Sequence, residues 1–149
     1  MKNLVSISFI TLFCLAAFGC NSKSNLNGLV SCEGKVTFKG EACSNARISF
    51  SPTGSGGNQR AASGTADSSG AFTMTTLQSG DGVFPGEYSV TITKYEFLKT
   101  ATKPLKDNEE SPPLKQENKL PEKYADTKKS GLTITIPESG TKNVLFELQ

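Results

Sequence analysis

The side chains of this 149-residue sequence whose type and placement could carry chemistry are few: the thiols Cys20, Cys32 and Cys43, the acids Asp67 and Asp81, and the adjacent pair Glu109 and Glu110. Histidine is absent. That removes His-based acid/base work, Ser-His or Cys-His nucleophile activation and His-ligated metal sites. Asp67-Ser68-Ser69-Gly70 and Ser79-Gly80-Asp81-Gly82 offer oxygen ligands, yet calcium takes roughly six to eight of them and neither run has the acid density of an EF-hand loop. Asp and Gly at these spacings read as turn formers. Glu109 and Glu110 are neighbours in the chain, whereas a paired general acid and base must be held apart across a cleft. The expectation is no catalytic residue, no metal and no cofactor.

Cys20 is different, because of what precedes it. Lys2 supplies a minimal positive region and residues 4–18 an apolar run, which ends Leu15-Ala16-Ala17-Phe18-Gly19-Cys20. The run is too short and too poorly flanked to span a bilayer, and it reads as an export signal. The Gly-Cys junction resembles a bacterial lipobox, in which the thiol is acylated before cleavage, although Ala17 and Phe18 depart from its usual Leu and small residue. An ordinary secretory leader cut nearby, or a buried helix, is the competing reading. Lipidation of Cys20 is the expectation, with residues 1–19 as signal peptide and 20–28 as a polar tether. Two or more acyl chains, at about 0.8 kcal/mol per buried methylene, would make the anchoring stable. Asn21 stands where an Asp would retain the protein at the inner membrane in enteric-type bacteria. The outer membrane is therefore favoured, with the domain outside the cytoplasm.

The elements that must position the remaining residues are strands. Residues 85–93 are the clearest: Pro85 and Gly86 make a turn, and Tyr88, Val90 and Ile92 then alternate with Glu87, Ser89, Thr91 and Thr93. Similar alternation marks residues 29–38, 46–51, 61–66, 71–75, 132–136 and 144–148, with turn residues between them. About seven short strands without a convincing amphipathic helix predict an all-β, antiparallel sandwich over residues 29–149. The charged stretch 99–119 lacks apolar periodicity and reads as a long solvated loop. The net charge of +2 has no clustered basic face to suit nucleic acid.

Val30-Ser31-Cys32-Glu33-Gly34-Lys35-Val36-Thr37-Phe38-Lys39-Gly40 with Ala46-Arg47-Ile48-Ser49-Phe50-Ser51-Pro52 resembles the opening of carboxypeptidase regulatory-like, transthyretin-like domains. Gly64-Thr65-Ala66-Asp67-Ser68-Ser69-Gly70-Ala71-Phe72 is similar to their strand-turn-strand, and Pro85-Gly86-Glu87-Tyr88-Ser89-Val90-Thr91-Ile92 to their later strand. Leu120-Pro121-Glu122-Lys123-Tyr124, followed by Ser130-Gly131-Leu132-Thr133, resembles small lipoproteins of planctomycete-type bacteria that carry this domain. The resemblance covers residues 30–148. It implies a sandwich and a non-enzymatic module, and it transfers no catalytic or cofactor residue.

Cys32 and Cys43 are extra to that pattern. In an exported protein two such thiols suggest a disulfide. Pairing the first two strands directly around Gly40 would leave the cysteines several residues out of register, beyond the roughly 7 Å Cα limit; placing those strands in opposite sheets would let them meet. The bridge is the expectation. The functional expectation is a lipid-anchored structural or binding module of the bacterial cell envelope, with the membrane as one partner. The alternative is an accessory module that recognises a polysaccharide or an exported protein complex. Tyr95 and Phe97 are the only aromatics outside clear core faces that could serve it, and Trp is absent.

Overall fold

Alternating apolar side chains can be buried only if something covers the face they share, and two stacked sheets do that here. The computed structural model describes residues 27–54, 59–98 and 115–149. Among them the chain forms ten short strands: β1 Cys32–Phe38, β2 Glu41–Ala42, β3 Arg47–Pro52, β4 Ala62–Thr65, β5 Ala71–Thr73, β6 Gly86–Thr93, β7 Tyr95–Phe97, β8 Gln116–Asn118, β9 Leu132–Ile136 and β10 Thr141–Leu148. A 3-10 turn spans Glu122–Ala125. The protein is all-β. Residues 1–26, with the expected signal peptide, Cys20 and most of the tether, lie outside the described residues.

One sheet runs β4-β3-β6-β9, antiparallel throughout. β6 lies inside it, and Tyr88, Val90 and Ile92 are fully buried while the residues between them are not. The other sheet is built on β1, with β10 on one side and both β5 and β2 on the other. β5 pairs with residues 33–35 of β1, and β2 with Thr37 and Phe38. Phe50 of the first sheet meets Phe146 of the second edge-on at 6.3 Å, and Phe146 stacks on Phe72 at 6.0 Å. Each fully buried side chain of this size contributes about 1.5–3 kcal/mol of apolar transfer.

The seven expected strands are β1, β3, β4, β5, β6, β9 and β10, and the structure adds β2, β7 and β8. Two expectations are corrected. The pairing is not antiparallel throughout, since β1 and β10 run parallel, Val36 beside Phe146 and Phe38 beside Leu148. Parallel neighbours need a long connection, and here nearly the whole domain is that connection. The charged stretch 99–119 is also not one loop: β8 forms at Gln116–Asn118 and pairs with β7 as a separate two-stranded ribbon. Residues 99–114 lie outside the described residues.

Two tyrosines fasten loops to the core. The buried Tyr88 hydroxyl donates to the Phe84 carbonyl four residues upstream at 2.9 Å, tying the Pro85-Gly86 turn to the strand it feeds. Tyr124, buried on the 3-10 turn, donates to the Gln149 carbonyl at 3.2 Å and accepts from the Gln149 N–H at 3.0 Å, clasping the residue after β10.

Candidate binding groove and polar loops

The expected disulfide is the first correction at the site level: Cys32 and Cys43 are both buried free thiols. Lys39 and Gly40, both at positive φ, form a two-residue turn. That turn sets Thr37 opposite Ala42, and the Cys43 N–H donates to the Val36 carbonyl. Cys32 is four residues further along β1, about 13 Å at the rise of a strand. β1 and β3 do belong to opposite sheets, but β2 holds Cys43 at the wrong end of β1. Burial pushes the Cys32 thiol up to about 11, with help from the Glu33 charge. Burial also raises Cys43, and the nearby Lys94 partly offsets it.

Asp67 and Asp81 act on their own loops. Asp67 Oδ1 accepts from the Ser69 hydroxyl at 2.7 Å, the Ser69 N–H at 2.8 Å and the Ala71 N–H at 3.0 Å, all of which hold its carboxyl below the usual range. These bonds shape the turn from β4 to β5. Asp81 is gripped more fully: Oδ1 accepts from Thr76 N–H, and Oδ2 from Leu77 and Gln78 N–H, at 2.7–2.9 Å. Partial burial would raise it, yet the N–H donors outweigh burial and its acidity increases. Gly80 N–H donates to the Thr75 hydroxyl, and the Thr76 hydroxyl to the Gly82 carbonyl. The turn reading of both runs is what these bonds describe. Glu109 and Glu110 lie outside the described residues.

The feature that local sequence could not reveal is a groove of about 980 Å³. β4 is bridged through Ser63 to Thr75, two residues after β5, and this bridge joins the two sheets at a corner. The groove lies over that corner. Ser63, Thr65, Thr73 and Thr75 line it, and Glu33, Asp67, Arg47 and Lys142 are its charged groups. Among the described residues neither Arg47 nor Lys142 forms an ion pair, while Glu33 accepts from the Ser31 hydroxyl at 3.1 Å. Such a lining can hydrogen-bond a polar ligand. Its contributors are far apart in the sequence, and several, Glu33, Arg47 and Thr73 among them, read locally as the solvent side of a strand.

A second exposed feature is the β7–β8 ribbon. Tyr95 and Phe97 are 57% and 60% exposed, the outcome expected for aromatics outside the core faces. No family model, curated protein or solved structure matches the chain.

Proposed function

We propose that the protein is a lipid-anchored, non-catalytic binding or structural module of the bacterial cell envelope, its β domain held off a membrane by the polar tether after an acylated Cys20. The finer fold assignment, a carboxypeptidase regulatory-like, transthyretin-like sandwich, belongs to the same reading. It is supported by two four-stranded sheets sharing one core and by the strand and turn motifs quoted above. The carrying observation is how the polar side chains are used. Asp67, Asp81, Tyr88 and Tyr124 all bond to nearby backbone, whereas Arg47 and Lys142 in the groove form no ion pair among the described residues. That division suits holding a ligand rather than moving a proton. The outer membrane is the favoured location, from Asn21.

Cys20→Ala in the producing bacterium tests the anchor: the protein should leave the membrane fraction, and the mature wild-type N-terminus should carry acyl chains by mass spectrometry. An unmodified N-terminus elsewhere contradicts it. Turnover of an envelope peptide or glycan, abolished by one surface substitution at an unchanged melting midpoint, contradicts the non-catalytic part.

A second reading, an accessory module for a polysaccharide or an exported complex, is favoured by the exposure of Tyr95 and Phe97.

A further inference from the structure

Tyr95 and Phe97 stand two residues apart on β7, so their rings project from one face of the ribbon. Asn118 lies opposite Tyr95 and Gln116 opposite Phe97, and directly opposed residues share a face. The other face carries Glu96 opposite Glu117. Lys94 pairs with Glu96 and Lys119 with Glu117, so two acids and two bases neutralise one another there. The Asn118 side chain is fixed: its Oδ1 accepts the backbone N–H of Lys94 at 3.0 Å and of Leu120 at 3.2 Å. Its remaining capacity is the Nδ2 donor, which bonds to no group among the described residues.

We propose that this aromatic–amide face is a stacking platform for an uncharged polysaccharide, an inference that rests on the recognition reading above. A pyranose presents C–H groups on its ring faces and hydroxyls around its rim. The electron-rich faces of Tyr95 and Phe97 complement the first, and the amides of Asn118 and Gln116 the second. A protein hot spot calls for a desolvated apolar centre with polar groups at its margin; here the amides sit directly across from the rings. A polyanion calls for a cluster of unpaired cations; Lys94 and Lys119 are paired, which leaves Lys115, just before β8, as a single lysine beside the ribbon without an ion pair among the described residues.

The test is retention of the full, detergent-solubilised protein on a panel of uncharged polysaccharides (cellulose, xylan, a mixed-linkage β-glucan and a galactomannan), measured for wild type, Tyr95→Ala, Phe97→Ala and Phe97→Tyr. At least one glycan should retain the wild type. Each alanine variant should weaken that retention tenfold or more at an unchanged melting midpoint, and Phe97→Tyr should keep most of it. Three results overturn the platform: no glycan retained; retention that survives both alanine changes, which would move glycan binding elsewhere and leave the recognition reading standing; or loss, in the alanine variants, of a cross-linked envelope protein while no glycan binds. The anchor experiment is independent of all three.

Discussion

β6 and β7 are separated by a single residue, Lys94, and both alternate aromatic or aliphatic with polar side chains, yet their fates are opposite. Tyr88, Val90 and Ile92 are fully buried, while Tyr95 and Phe97 are more than half exposed. The positions also change parity, from even to odd numbers, so the second pair continues the face that β6 turns away from the core. β6 has strands on both sides and a second sheet over its apolar face; among the described residues β7 pairs only with β8. Periodicity tells which residues share a face. It does not tell whether anything covers that face.

The largest expected effect separates two tyrosines. Tyr88→Ala removes a buried ring 5.7 Å from Phe50 and a bond to the Phe84 carbonyl, and should cost about 3–5 kcal/mol in denaturant unfolding. A loss below about 1 kcal/mol would put Tyr88 on the ribbon's side of the comparison.

Next comes the response to alkali. The thiol of Cys32 and the phenol of Tyr88 both have raised pKa values, from burial first and then from a neighbouring acid, Glu33 for Cys32 and Cys32 itself for Tyr88. A raised value means stability fully present below the unfolded pKa and lost as pH rises through the folded one. For Cys32 the window opens near the ordinary thiol value of about 8.5 and closes at about 11. The melting midpoint should fall across it, and Cys32→Ala should flatten the lower part of the fall. An identical slope in the variant would remove Cys32 as the cause.

Tyr124→Phe sharpens the comparison at the seam, because it keeps the packed ring and deletes both bonds to Gln149. The expected loss is about 1 kcal/mol by chemical denaturation; no loss would mean that the clasp adds nothing to ring burial. Smallest of all should be Tyr95→Ala with Phe97→Ala, within about 0.5 kcal/mol of wild type per site. A larger drop would mean that the ribbon packs on the domain.

The sequence made the long strands legible because their buried faces impose alternation, and Asp67 and Asp81 legible because turn chemistry is local. β2 has two residues and β8, Gln116-Glu117-Asn118, has no apolar side chain, so neither leaves a periodic trace. The parallel partnership of β1 with β10 is a long-range choice that no local pattern encodes. The cysteine error came from the same source: β1 and β3 do sit in opposite sheets, but a two-residue strand decides where Cys43 lies. The groove leaves no local trace because Glu33, Arg47 and Lys142 come to line one surface only after folding.

The central claim, a cooperative β6 core beside a ribbon outside it, is tested most directly by native-state hydrogen exchange read by mass spectrometry. Peptides covering Gly86–Thr93 should exchange only through global unfolding and follow denaturant as the whole protein does, whereas peptides covering Tyr95–Phe97 and Gln116–Asn118 should exchange orders of magnitude faster through local opening. Equal protection of the two regions, lost together as denaturant rises, would contradict it.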